Sequence, residues 1–368
     1  MKILFFANTS WNLFNFRYHL IESLAKAGHD VHLLSPEDEY THLLTEQGFT
    51  WHPINISRKG MNPFGEFATI LRIRAAFKKI QPDILFNFTP KCVLYGSPVA
   101  RGVKIPHVIN TISGLGFLFS GTRAKMPLVR KLVRAFYRYS MAGSKVIFQN
   151  PEDMDEFEKR NIIRKKQGYL VASSGVDTNK FGYSDENNST PLIMLPARLI
   201  REKGAYDFVE AARLLHQKGY LARFILVGQI DKGNPSAISK EQISQWVEEG
   251  SVEWWGWRSD MEEVLQKANI VCLPTFYREG TPKSLLEAAA CGRAIIATNV
   301  PGCREIVRNG ENGILIEPNN HKMLADAIQR LLDDPGLRQR MGKAGRAFVE
   351  SDFQNTLITA KIMEVAGL

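Results

Sequence analysis

The stretch Arg278-Glu279-Gly280-Thr281-Pro282-Lys283-Ser284-Leu285-Leu286-Glu287-Ala288-Ala289-Ala290-Cys291-Gly292 decides how this chain is read. An apolar run, Ile270 to Thr275, leads straight into it and has the make-up of a buried parallel strand. Gly280 and Pro282 then break the chain, and a helix is expected to begin near Ser284. In an open α/β sheet, ligands bind outside the carboxyl ends of the strands. A helix N-terminus at that place favours anions. Gly280 lets backbone N–H groups approach a phosphate, and Thr281, Pro282 and Lys283 share its turn. Glu279 at the mouth of the turn and Glu287 in the helix can accept hydrogen bonds from hydroxyls. A ligand with phosphate and polyol parts, as in a nucleotide sugar, suits this arrangement. An ordinary loop followed by a carboxylate compensating the helix dipole also fits the spacing.

On either side of this stretch, short Val/Ile/Leu/Phe runs alternate with helical patterns, the signature of parallel sheets with crossover helices. Strands are expected near 2–8, 30–35, 52–56, 83–89, 106–112, 145–150 and 168–173, then near 192–197, 222–228, 252–256, 270–275, 294–298 and 313–317. A helix is expected over 17–27, stopped by Gly28. A chain of 368 residues exceeds the usual single-domain range. The polar run at 184–191 marks a linker, which gives domains over 1–183 and 184–350 and a C-terminal helix over 351–368.

Several classes are disfavoured. Neither half contains Gly-x-Gly-x-x-Gly, so dinucleotide-dependent oxidoreduction is not expected. Cys92, Cys272, Cys291 and Cys303 are scattered without a Cys-x-x-Cys, which argues against a zinc or iron–sulfur site and for a reducing compartment. The apolar run of MKILFFANTS is too short for a signal peptide. No stretch offers the roughly 18 or more apolar residues of a spanning helix. Asp153-Met154-Asp155 imitates a metal motif, but Pro151, Glu152 and Asp153 open a helix, where residues two apart do not share a face. No metal or cofactor is expected.

Pro196-Ala197-Arg198-Leu199-Ile200-Arg201-Glu202-Lys203-Gly204 follows the first strand of the second half. Arg198 and Lys203 can converge there on one anion, a planar donor fork beside a compact charge, or both can be solvated surface charges. Val227-Gly228 and Pro301-Gly302 look like close-approach loops of the same crevice or plain turns.

The spacing Glu-x7-Glu inside EGTPKSLLEAAACG, with ARLIREKG and PGCRE, resembles the family 4 glycosyltransferases. That resemblance implies an α/β fold of the GT-B type: two Rossmann-like parallel-sheet domains facing a cleft, with a C-terminal helix crossing back to the first domain. It implies retaining transfer in which Glu279 lies against the donor sugar, Glu287 accepts from the ribose, and Arg198 and Lys203 neutralise the donor diphosphate. It also places the nucleotide base near Gly256, with Trp257 and Arg258 as candidates and Gly228 beside them. Many members carry a His after the fifth strand; His107 falls early in that strand, which puts a side-chain general base in doubt.

The charge is uneven. Residues 1–166 hold 24 Lys+Arg against 13 Asp+Glu, and no acid occurs between Asp83 and Glu152, where ten Lys or Arg do. In 126–142, Arg130, Arg134 and Arg138 form one stripe flanked by Lys131, with Leu128, Val129, Leu132, Val133 and Phe136 expected on the opposite face. Just upstream, Phe117 and Phe119 belong to an apolar, Gly-hinged loop. Such a basic amphipathic helix suits an anionic membrane surface, or packs on a core with solvated arginines. Asn15 and Arg17, in the loop after the first strand, are candidates for holding an acceptor's polar groups or for capping a helix.

The expected activity is transfer of a hexose, best guess N-acetylgalactosamine, from a UDP-sugar to a polyprenyl-diphosphate-linked sugar in surface-glycan assembly. The enzyme would be cytoplasmic and peripheral on the inner membrane face, and would not bind nucleic acid. A soluble acceptor, a UDP-sugar epimerase of the same fold or a non-enzymatic scaffold are the alternatives.

Overall fold

The computed structural model describes residues 1–56, 63–114, 127–186, 190–231 and 233–368, without the side chains of 63 and 127–130. The chain divides into two compact units, Met1–Ser174 with Asn355–Leu368, and Gly175–Gln354.

Unit 1 is built on a parallel sheet in the order β3-β2-β1-β4-β5-β6-β7. Its strands are β1 (Lys2–Phe6), β2 (Asp30–Ser35), β3 (Thr50–Pro53), β4 (Ile84–Phe88), β5 (His107–Ile112), β6 (Lys145–Phe148) and β7 (Gly168–Leu170). Successive residues of β1 face opposite sides, so Ile3 and Phe5 enter one core while Leu4 and Phe6 enter another. Both sides are therefore apolar, which is why these strands read as unbroken hydrophobic runs. The strand order reverses between β1 and β4, where Phe6 pairs with Asn87.

Helix Ser10–Lys26 starts seven residues earlier than expected, because Thr9 caps it by accepting from Asn12 N at 3.1 Å. Its buried stripe is Ser10, Leu13, Arg17, Leu20, Ile21 and Leu24. Asn15 and Arg17 therefore sit on a helix rather than a loop, and Arg17 faces the core. Helix Asn355–Ala366 joins this unit: Ile358 and Ile362 share a core with Leu20 and Leu24, and Thr359 Oγ1 lies 2.9 Å from His19 Nδ1.

Unit 2 repeats the plan in the order β10-β9-β8-β11-β12-β13. The strands are β8 (Leu192–Pro196), β9 (Arg223–Val227), β10 (Glu253–Trp254), β11 (Ile270–Leu273), β12 (Ala294–Thr298) and β13 (Gly313–Ile316). Its reversal lies between β8 and β11. The division of the chain falls at 174/175 rather than at 183/184. Residues 184–186 are polar because they partner buried arginines: Ser184 O accepts from Arg293, and Glu186 pairs with Arg338 at 2.6 Å with both side chains at most 7% exposed.

Candidate active site

The reversal point of unit 2 brings two strand-end loops together. After β8 the chain passes Arg198, makes a 3-10 turn over Arg201–Lys203 and enters helix Ala205–Gln217 at Gly204. Gly204 has φ +81°, and a Cβ there would lie 2.1 Å from Pro274 O, beyond the end of β11. Only glycine allows that approach. It sets Lys203 beside Glu279, with Nζ 2.5 Å from Oε1 and side chains 14% and 10% exposed. Thr275 knits the loops: its Oγ1 lies 2.9 Å from both Glu279 Oε1 and Glu202 O. Phe276 N donates to the same Glu202 carbonyl at 3.0 Å.

Helix Lys283–Ala290 begins after Pro282, with no side-chain cap, so its N-terminal dipole is uncompensated by any cap. Gly280 is buried and Thr281 half-buried just ahead of it. Glu287 lies in the second turn. Burial pushes its carboxyl above the ordinary range, and the Lys283 ammonium at 3.5 Å opposes that rise. Such a desolvated carboxylate gains from a ligand hydroxyl that donates to it.

Arg198 contacts Asp231 Oδ2 at 2.7 Å, yet its side chain stays 44% exposed. Lys carries three N–H donors and Arg five, so each can hold its carboxylate and still donate to a phosphate. Gly228 follows β9 and lies against Ala197 O, where a Cβ would lie at 1.9 Å; its place is set by backbone packing. Gly228 N also donates to Gly256 O at 2.7 Å, which brings the Gly256–Trp257 turn alongside. Trp257 is 51% exposed, leaving an aromatic face open. Arg258 is held by Asp260 through two bonds, one of 2.8 Å. Trp254 is half-buried, and its indole N–H donates to Gly228 O at 2.9 Å.

In unit 1, Asn15 Nδ2 donates to Trp11 O at 3.0 Å. Helix Pro127–Met141 turns Tyr137 and Met141 inward, while Lys131, Leu132, Arg134, Phe136 and Arg138 are all exposed. Leu132 and Phe136 thus lie on the solvent face with the basic residues, not opposite them. Phe117 and Phe119 lie outside the described residues, as do the side chains of Leu128, Val129 and Arg130. Asp153 is fully buried and accepts from Asn150 Nδ2 at 3.1 Å, while Asp155 pairs with Lys159; the two are engaged separately. His107 is the exposed first residue of β5, at the amino end of that strand. Among the described residues no helix is long and apolar enough to cross a membrane.

Sequence reasoning did not find Thr275 or Asp231, whose contacts with Glu202 O and Arg198 join loops after different strands. The hydroxyl at the end of the 270–275 run was a usable signal for the first; nothing in the sequence marked the second.

A model of "Glycosyl transferases group 1" matches residues 177–348, and one of "Glycosyl transferase 4-like" matches residues 2–150. The chain is 30% identical to the N,N'-diacetylbacillosaminyl-diphospho-undecaprenol alpha-1,3-N-acetylgalactosaminyltransferase of Campylobacter jejuni, over 93% of this chain and 92% of that protein. It is 25% identical to a UDP-Gal:alpha-D-GlcNAc-diphosphoundecaprenol alpha-1,3-galactosyltransferase of Escherichia coli, over 73% and 71% of the two. A protein of Anabaena solved in complex with UDP-glucose has the same fold, with a TM-score of 0.81 at 17% identity, covering 100% of this chain and 99% of that one.

Proposed function

This chain belongs to the family 4 glycosyltransferases, and on that premise we propose that it moves a hexosyl unit from a UDP-sugar to a polyprenyl-diphosphate-linked sugar, with retention. The observation that carries this reading is the Lys203–Glu279 pair at the strand-order reversal of unit 2, with buried Glu287 eight residues on. The names of the relatives from Campylobacter jejuni and Escherichia coli support an acceptor of diphospho-undecaprenol type, and the first supports N-acetylgalactosamine as the sugar moved.

In the reaction the donor's C1–O bond breaks and its electron pair leaves on the β-phosphate oxygen. The acceptor hydroxyl oxygen bonds to C1, and its proton passes to the departing diphosphate. Charge gathers on that diphosphate as the bond breaks, so cations placed there stabilise the transition state more than the ground state. Arg198 and Lys203 take this role in place of a metal. Glu287 accepts from the ribose and Glu279 from the hexose, while Gly280 to Lys283 border the phosphates. Trp257 offers its open face to the base.

The acceptor is brought by the membrane. Lys131, Arg134 and Arg138 stand exposed among Leu132 and Phe136 on helix Pro127–Met141, a composition suited to an anionic inner leaflet. The test is a panel of UDP-sugars assayed for UDP release with and without a short polyprenyl-diphosphate sugar. Release that depends on the lipid acceptor is expected. Release driven equally by a free sugar would replace this acceptor with a soluble one.

A further inference from the structure

The reversal point of unit 1 carries a charge that nothing among the described residues balances. Arg17 lies on the core-facing stripe of helix Ser10–Lys26 and is 5% exposed. Its guanidinium carbon sits 4.3 Å from the centre of the Phe88 ring, on the last residue of β4. Burial alone lowers its pKa to about 10; no carboxylate contributes. Its Nε is buried without a hydrogen-bond partner. A desolvated guanidinium with no counterion is unfavourable, and buried charges in folded proteins are normally paired.

The next residue points the same way. Thr89 has φ +70° and ψ 149°, a region non-glycine residues seldom adopt and one that clusters at ligand clamps. Its Oγ1 lies near the Cys92 thiol yet makes no hydrogen bond of ordinary geometry. It is also the first flanking residue of helix Pro90–Gly102, whose N-terminus has no side-chain cap. The uncapped helix N-terminus thus follows directly on the carboxyl end of β4, and the unpaired guanidinium lies over Phe88, the last residue of that strand. Unit 2 has its cation at the matching reversal as well, but there Lys203 has Glu279.

We propose that Arg17, Thr89 and the N-terminus of helix Pro90–Gly102 form an oxyanion site in unit 1, and that its ligand is a phosphate of the acceptor's diphosphate. The identity of the ligand rests on the acceptor reading above; the site itself does not. The guanidinium donates planar N–H groups to the phosphate oxygens while Phe88 supports its other face.

The experiment uses the full chain saturated with UDP, so that the donor site is filled. Inorganic pyrophosphate should then raise the melting temperature of the wild type and not of Arg17→Met, a variant that removes an unbalanced buried charge. With a polyprenyl-diphosphate sugar, Arg17→Met should raise the acceptor KM about ten- to hundredfold, the loss of a charge-assisted hydrogen bond, and leave the UDP-sugar KM unchanged. Should Arg17→Met not fold, Arg17→Lys must still weaken the pyrophosphate shift; an unchanged shift overturns the site. A pyrophosphate effect lost in the variant, in a protein that uses no lipid acceptor, supports the site and overturns the acceptor reading. Equal use of the lipid acceptor by both proteins overturns the site and leaves that reading standing. A rise in donor KM alone overturns the assignment to the acceptor.

Discussion

Replacing Lys203 by Ala should damage stability and ligand binding by separable amounts. The ammonium lies 2.5 Å from Glu279, and both side chains are nearly out of water. Removing one member of a buried pair leaves the other charge without its counterion, at a cost of about 3–5 kcal/mol. The residual exposure of the two side chains favours the lower end. For a body of this size, each kcal/mol moves the melting temperature by roughly 2–4 °C. A Lys203→Ala/Glu279→Gln double variant carries no stranded carboxylate, and the introduced amide can still meet Thr275 Oγ1, which lies 2.9 Å from the wild-type carboxylate. Most of the lost stability should return. Affinity for UDP should not, because the cation facing the diphosphate is still missing. A charge-assisted hydrogen bond of about 1.5–3 kcal/mol corresponds to roughly ten- to 150-fold in Kd. Thermal unfolding and calorimetric titration with UDP read the two effects. A double variant that binds UDP as the wild type does would refute the placement of Lys203 on the diphosphate. A single variant that melts with the wild type would refute the reading of the pair as buried.

Glu287→Gln should bind UDP about tenfold more weakly at neutral pH, the worth of a charged acceptor lost. Because burial raises this carboxyl's pKa in the folded protein, its stabilising contribution is present in acid and is lost as pH rises through the folded value. The Gln variant should therefore melt above the wild type near neutrality, with the gap closing toward about pH 4; a constant gap would be the contrary result. Reversing Arg134 and Arg138 to Glu should abolish salt-sensitive co-sedimentation with anionic liposomes, at about 1 kcal/mol per charge removed, while UDP binding is kept. Leu132→Ser with Phe136→Ser should weaken the same binding in high salt too, since apolar contact is not screened; unchanged sedimentation in both variants would return the helix to a solvated role. Transfer should persist in excess chelator, and its complete loss there would show that Arg198 and Lys203 do not replace a metal.

The central strands were legible because a parallel strand covered on both faces must be apolar throughout, and every run read as a strand, the less buried β3, β7 and β10 included, is one to within a few residues. Glu279, Glu287 and Lys203 were legible for a related reason: their turns follow strand ends, and strand ends are where such sheets present ligand-binding groups. Arg17 was misplaced because the run from Asn8 to Phe16 reads as loop until Thr9 is recognised as a cap. With that cap in place, the 3.6-residue stripe puts Arg17 in line with Leu13, Leu20 and Leu24. The exposed position of Leu132 and Phe136 had no local signal, since it depends on which side of the helix meets its neighbours. The partners of Arg293 and Arg338 were hidden in a run whose polarity looked like that of a linker.

The same logic explains why the charge asymmetry of the sequence has functional weight. In unit 2, Arg198, Lys203, Arg213, Arg223, Arg258, Arg338 and Arg346 each face a carboxylate. That unit is close to internally neutralised, as its balanced composition requires. In the first half Lys91 pairs with Glu66, and Arg101 and Lys145 donate to backbone carbonyls, but part of the basic excess has no such internal use. Lys131, Arg134 and Arg138 make no ion pair among the described residues, and Arg17 is buried with no counterion among them. Exposed like charges repel one another at a cost to the fold, and a buried unpaired charge costs more. On the proposals above, both costs would fall when an anion arrives from outside, a lipid surface at the first place and a phosphate at the second. A lipid carrying a diphosphate supplies the two together. Arg134→Glu/Arg138→Glu and Arg17→Met should therefore act on different steps: the first on recruitment to vesicles, relieved by raising the lipid concentration, and the second on the acceptor KM at any lipid concentration. If excess lipid restores Arg17→Met as well, the two charges serve one surface and the separate phosphate site is wrong.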